Sequence, residues 1–498
     1  MKREPDFLVI GASLGKPSTS TFRAIAFAAV AVLLVWHVAT RSLVAYLAKA
    51  APDTALGLRS TDPTALLNLA ERSLAPKETA AGPASQPDQA AANRATASEQ
   101  TDEQASDRLR LWSELAFKAT DKDIKSSAAN RTSGSTEPPR PSILGRDTIE
   151  QSSRWAKLAL ANDPINARAL GILGQLAVAA GEEADVAKFL NAAARRSIRE
   201  SLAVYWLMWK SYEDRDYATA IYCADALLRT RSQAATQVMP ILIHMAENSS
   251  ASGELTKTLL NNPPWRSNFL SSLGQKAKDP RVTLELLLAL RETSTPPKAE
   301  DVRNYVNALI GRKNYELAYY AWLQFLPPEQ LGSSGFLFNG SFDVRPSGLP
   351  FDWVMGEGSG VTMDIVNRPD QPDRRALLIE FGHGRVDFNG VQQLTMLAPG
   401  TYEFKGRYRG ELVGKRGLVW RISCIDAPGA PLGESPMVVG ASPKWKDIDF
   451  SFAVPETDCR AQQVRLELDA RMASELLVSG AIWYDELRIA RVDKLERP

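Results

Sequence analysis

Histidine and cysteine are scarce here, with three of each among 498 residues. His37, His244 and His383 lie far apart, so they do not offer the clustered nitrogens of a His-ligand zinc site. An excess of either charge is also missing. The 59 Lys+Arg against 58 Asp+Glu leave a net charge of +1, so no global field draws the chain to nucleic acid. Near-misses to catalytic motifs fail on spacing. Gly11-Ala12-Ser13-Leu14-Gly15-Lys16 has three residues between its glycines, one short of a phosphate loop, and Pro17 follows the Lys. Gly410 to Lys415 shares that defect, and Ser359 in Gly356-Glu357-Gly358-Ser359-Gly360 is displaced from the nucleophile-elbow position. No carboxylate pair stands out for glycoside hydrolysis. The chain is expected to be no enzyme.

The cysteines are unevenly placed. Cys424 and Cys459 both fall in the C-terminal third, while Cys223, in AIYCADALL, reads as a small core residue. A pair confined to one region points to a disulfide and thus to an oxidising compartment; two separate buried thiols are the alternative.

Phe22 to Thr40 reads FRAIAFAAVAVLLVWHVAT, and apolar character resumes over Leu43 to Leu47. Residues 22–47 are therefore expected to form a single transmembrane anchor behind a cytoplasmic tail, 1–21. Trp36 and Tyr46 suit the far interface, and His37 reads as interfacial or helix-packed. Basic residues flank both sides, so orientation rests on the cysteine pair, which places the C-terminal bulk outside the cytoplasm. Ala48-Lys49-Ala50 keeps a cleaved signal peptide open as the alternative.

Within 48–75, PTALLNLAERSL (Pro63 to Leu74) has a helical pattern. Residues 76–142 turn to Ala, Pro, Gln, Ser and Thr, too little apolar area to offset ordering entropy, with one amphipathic stretch at Asp107 to Ala119. From 143 to 330 helical segments alternate with polar turns. Gly181 and Asp216, in successive turns, are 35 positions apart. This stretch resembles tetratricopeptide repeats: Gly171, Gly174 and Ala177 sit at the small positions of a first helix, Ala187, Ala194 and Ala220 at those of second helices, and Pro164 closes a unit. Asn304 to Phe325 repeats the turn-Tyr pattern, whereas 236–300 matches poorly. The resemblance implies an α-solenoid whose concave face holds protein segments. Tyr205, Trp209 and Tyr212 are candidates for that groove; packing between repeats is the competing role for them and for Trp155, Trp206 and Tyr217. Arg195, Arg196 and Arg199 read as a solvated face, and His244 as a core or hydrogen-bonded residue.

Residues 333–495 change period. Strands are expected at 336–342, 361–365, 375–381, 390–397, 400–411, 417–425, 445–454, 463–468 and 481–489, separated by Gly and Pro turns, which makes an antiparallel β-sandwich. Asn339-Gly340-Ser341-Phe342-Asp343, Leu397-Ala398-Pro399-Gly400-Thr401-Tyr402 and Trp483-Tyr484-Asp485-Glu486-Leu487 resemble, in order, the opening, middle turn and closing strand of carbohydrate-binding jelly rolls. That resemblance implies a structural calcium held by Asp343 and Asp485, with Asp standing where the family has Glu at the first; metal-free carboxylates are the alternative. It also implies sugar stacking on exposed aromatics. Candidates are Trp353, Phe388, Tyr408, Trp420 and Trp445, with Arg385, Asn389, Gln392, Arg407 and Arg421 as polar partners; burial in the sandwich core competes for the aromatics. His383 lies in a Gly-rich loop at a sheet end.

The expected architecture is multidomain, α then β: transmembrane helix, tetratricopeptide-like solenoid, jelly roll. The combination resembles membrane-anchored proteins of bacterial polysaccharide synthesis or export. It leads to the expectation of a non-enzymatic scaffold in the bacterial inner membrane, facing the periplasm, that binds envelope proteins through its repeats and polysaccharide through its sandwich. A purely protein-binding assembly factor is the alternative, and a glycan-processing enzyme a third reading.

Overall fold

The structure, a computed structural model, describes residues 19–74, 145–332, 335–427 and 429–492, with side chains from Phe27 onward. The tail before Thr19, the 76–142 linker with its stretch over 107–119, the Gly11 to Lys16 motif and the Ser333-Ser334 boundary lie outside the described residues. The chain divides into two compact units, Met1–Val238 and Met239–Pro498.

In the first unit α1 (Thr19–Ala50) runs unbroken for 32 residues. Its segment Phe27–Ala50 is long and apolar enough to cross a membrane, and length and composition fit a signal sequence equally. Phe27, Val35 and Trp36 are exposed; a helix tolerates this in lipid because its backbone bonds are internal. Ala48 is buried with Ala55 of α2 (Pro52–Leu58) and Ala65 of α3 (Pro63–Leu74), and the Asn68 amide donates to the Ala48 carbonyl at 2.6 Å.

After α4 (Arg146–Asn162), α5 (Ala167–Ala180) and α6 (Glu183–Arg196) form a hairpin. Gly181 closes α5 in the left-handed region, φ 76°, and its N–H donates to the carbonyls of Ala177 and Val178. The hairpin packs tightly at Gly174, where a Cβ would lie 2.3 Å from Leu190 Cδ2. A second hairpin joins α7 (Ser201–Glu213) to α8 (Tyr217–Thr230), and the Asp216 carboxylate caps α8 by accepting from the Thr219 N–H. Tyr205 does not line a groove: it is 2% exposed and belongs to the core. Trp209, Tyr212 and Tyr217 form a half-buried row, with centroids 6.0 and 6.1 Å apart.

The second unit begins within α9 (Ala235–Glu247) and continues through α10 (Ser249–Leu260), α11 (Arg266–Lys276), α12 (Arg281–Arg291), α13 (Ala299–Gly311), α14 (Tyr315–Gln324) and the short α15 (Pro328–Leu331). Ten strands follow: β1 (Val354–Met355), β2 (Val361–Asn367), β3 (Arg375–Phe381), β4 (Val391–Thr395), β5 (Gly400–Gly414), β6 (Leu418–Cys424), β7 (Gly433–Glu434), β8 (Gly440–Val454), β9 (Gln462–Leu468) and β10 (Val478–Arg491). They form two five-stranded antiparallel sheets, β1-β4-β9-β6-β7 and β2-β3-β10-β5-β8. Alternation dictates the layers: Val464 and Leu466 of β9, and Ile482 and Tyr484 of β10, point into one core.

The expected strand over 336–342 is a turn. Asn339 and Phe342 have φ of 51° and 54°, outside strand geometry. Gly340 abuts β10, where a Cβ would lie 1.9 Å from the Leu487 carbonyl oxygen, and its own carbonyl accepts from the Leu487 N–H. The opening motif thus lies against the closing strand.

Helices cover part of the first sheet. Phe338 exchanges backbone bonds with the Gln393 side chain of β4, and Trp322 of α14 packs on Phe338 at 5.1 Å. Tyr319 packs on Phe351 at 5.2 Å, and Tyr315 donates its hydroxyl proton to Asp426 at 2.9 Å. Near that contact Cys424 and Cys459 form a disulfide, with Cα atoms 5.1 Å apart.

Candidate functional site

The outer face of the second sheet is open. Thr362, Asp364, Glu380, Glu411, Asp447 and Asp449 all point away from the core and are exposed. β10 is the central strand, and Tyr484 on it is fully buried. Its neighbour Trp483 therefore faces outward, where it is half-buried. Leu378 of β3 and Arg409 of β5 flank it in register.

Trp445 of β8 lies on the same face. The Arg368 guanidinium sits 4.5 Å from the Trp445 ring centroid, and the indole N–H donates to Asp370 at 3.1 Å. Arg368 is itself only 4% exposed. It donates to Asp370 Oδ2 and to Asp485 Oδ2, each at 2.7 Å. The hydrogen bond from Arg368, opposed by burial and helped by the Trp445 N–H, holds the Asp370 carboxyl down at about 2. Around this clamp, Glu486 pairs with Arg374 at 3.3 Å and Arg407 at 3.5 Å, and Arg407 reaches Asp447 at 3.4 Å. Arg409, beside Trp483, has only a 3.9 Å approach to Asp370.

These contacts bear on calcium. Asp485 is fully buried, and donors hold both its oxygens: Arg368 Nη1 on one and the Glu486 N–H, at 2.7 Å, on the other. Asp343 is exposed, and no cluster of three or more His, Cys, Asp or Glu suited to a metal occurs among the described residues. The expected pair does not fit a calcium ion, because a guanidinium already neutralises the buried carboxylate.

The five candidate aromatics separate. Trp353 (1% exposed) and Trp420 (0%) meet edge to face at 5.7 Å in the centre of the core and offer no ring face to a sugar. Interdigitating sheets need large side chains at their middle, and these two fill that volume. Phe388 leans on Phe381 at 5.4 Å and Tyr408 on Tyr484 at 6.5 Å, both against the core. Trp445 alone of the five is on the open face. Gln392 belongs to the other sheet, where Gln463 donates to it at 3.1 Å, and exposed Arg385 lies on an end loop bridged to Leu477. Arg407 joins the open face; Arg421, on the first sheet, is held by Glu434, Glu467 and Asp469. Asn389 donates to the Glu357 carbonyl, and His383 is exposed in its loop. Trp483 was missed as a ligand candidate, although strict alternation in AIWYDEL places it opposite Tyr484.

Solved structures resemble part of the chain. One is described as "CBM4 structure and function": 16% identical, TM-score 0.24, spanning 31% of this chain and 99% of that one. Another is a Tm family-61 carbohydrate-binding module in complex with β-1,4-galactotriose, 17% identical with TM-score 0.23, covering 32% and 100%. A third, the CBM22-1 xylan-binding domain from Paenibacillus barcinonensis, is 18% identical with TM-score 0.21, covering 28% and 85%. No family model matches the chain, and no curated protein matches it. The site therefore rests on its own geometry.

Proposed function

We propose that the protein is a membrane-anchored, non-enzymatic glycan-binding scaffold whose ligand lies on the open face of the second sheet. The observation that carries this reading is the presence of two indoles, Trp483 and Trp445, on one exposed face together with Arg409 and the ion-paired cluster around Arg368. Indole faces stack on the apolar faces of sugar rings, and fixed charged groups take the hydroxyls. The 24-residue apolar segment Phe27–Ala50 serves as the anchor. The Cys424–Cys459 disulfide suits the periplasmic side of a bacterial inner membrane. The helical hairpins act as repeats that bind envelope proteins of polysaccharide assembly or export, with Trp209 and Tyr212 as contacts.

The test uses the full chain in detergent micelles, run through native gels containing soluble polysaccharides. At least one polymer slows the wild type, and Trp483→Ala removes the retardation without changing thermal stability. Retardation by no polymer defeats the reading. Burial of Trp353 and Trp420 favours the second reading, a protein-binding assembly factor, which that result would leave standing.

A further inference from the structure

The open face divides along β10. On one side of Trp483 the arginines are engaged by Asp370, Asp485, Glu486 and Asp447. On the other side the residue two positions along is Ala481, and the register sets Glu380 of β3 opposite it on one flank and Glu411 of β5 on the other. Both glutamates are exposed, and neither has a hydrogen-bonding or ion-pairing side-chain partner among the described residues. Adjacent strands lie about 4.8 Å apart, so the two glutamate Cα atoms stand about 10 Å apart across the alanine. Ala481 is thus the floor of a trough with a carboxylate on each wall and an indole about 7 Å along its axis.

Resting on the reading that this face takes glycan, we infer that the ligand is a neutral, hydroxyl-rich polysaccharide running along β10. One residue stacks on Trp483, and the chain continues over Ala481 between Glu380 and Glu411. Ionised carboxylates accept hydrogen bonds from hydroxyls strongly, because the acceptor is charged. They repel a ligand carboxylate or sulfate; Arg368, Arg374 and Arg407 are already paired, and Arg409, 3.9 Å from Asp370, sets one cation against two carboxylates. Trp483 gives affinity for sugar rings of any charge; the trough walls exclude uronic-acid and sulfated polymers.

The experiment compares full-length protein in micelles with four neutral polymers (β-glucan, galactan, arabinoxylan, galactomannan) and three polyanions (polygalacturonate, alginate, chondroitin sulfate) in native affinity gels. At least one neutral polymer is expected to bind and no polyanion. Ala481→Trp, which fills the trough, weakens the neutral polymer at least tenfold, with its folding checked by circular dichroism. The double variant Glu380→Gln, Glu411→Gln also weakens neutral binding and admits polygalacturonate. Polyanion binding by the wild type overturns the inference. So does neutral binding that Trp483→Ala abolishes but Ala481→Trp leaves intact, an outcome that spares the glycan reading. Binding of no polymer at all defeats both.

Discussion

Replacing Arg368 with alanine removes the one cation that, among the described residues, is ion-paired with the fully buried carboxylate of Asp485. Four contacts are lost, the weakest of them a 3.8 Å approach to Glu486. The Asp485 bond, 2.7 Å between groups 4% and 0% exposed, dominates; stranding one member of a buried pair costs about 3–5 kcal/mol. The Asp370 arm is 32% exposed on the carboxylate side and adds less than about 1 kcal/mol. The contact with the Trp445 ring adds about 0.5–1 kcal/mol. These terms share one side chain and do not simply add, so a loss of about 3–5 kcal/mol is expected. Two compact units make global unfolding a poor measure, so the assay is native-state hydrogen exchange on β10 and β3 peptides, which reports local opening free energy. The stranded Asp485 favours its protonated form, so the deficit should grow from pH 5 to pH 8. Arg368→Met combined with Asp485→Leu should recover most of the loss. A deficit under about 1 kcal/mol would refute the reasoning. So would a wild-type protein whose β10 exchange slows on adding calcium or quickens with chelator, since that would put a metal where the guanidinium lies.

The Asp370 carboxyl, held at about 2 chiefly by its bond from Arg368, has a depressed folded-state value. Its contribution is therefore complete above the unfolded value near 3.9 and disappears as pH falls towards 2; Asp370→Asn should flatten acid destabilisation of β8 peptides in that window, and an unchanged profile would count against it. The Cys424–Cys459 bridge closes a separation of 35 residues, worth about 4 kcal/mol as loop-closure entropy. The double Cys→Ser variant should lower the sandwich's denaturant midpoint accordingly, and a shift equivalent to less than about 1 kcal/mol would show that the closed loop is ordered by other contacts.

What could be read from the sequence was local. The unbroken apolar run gave the long first helix, and period-two alternation located strands such as Arg375–Phe381 to the residue. The turn at 338–342 escaped because its cause is remote: Gly340 is glycine on account of Leu487, far along the chain. The partner of Asp485 was hidden for the same reason, since Arg368 stands 117 residues from it and no local pattern connects them. Aromatic identity was legible but facing was not. Trp353 and Trp420 have the same chemistry as Trp445 and Trp483, and only the pairing of sheets decides which are core. For Trp483 the alternation in AIWYDEL sets it opposite Tyr484, but which of the two faces the core is decided by the burial of Tyr484 in the structure.

Arg368 covers a carboxylate that is buried on the open-face side of the second sheet. One arm of the guanidinium neutralises Asp485, which the register sets opposite Arg407, while its flat surface covers one side of the Trp445 indole, whose N–H Asp370 holds. A side chain fixed for stability therefore also fixes a ring on the proposed ligand surface, so little side-chain freedom remains to be lost at Trp445 on binding. Trp483 is held differently, by its place on the central strand between Leu378 and Arg409. The charges follow the same division: they are mutually neutralised around Arg368, where the fold needs them, and left bare at Glu380 and Glu411, where only a ligand could use them.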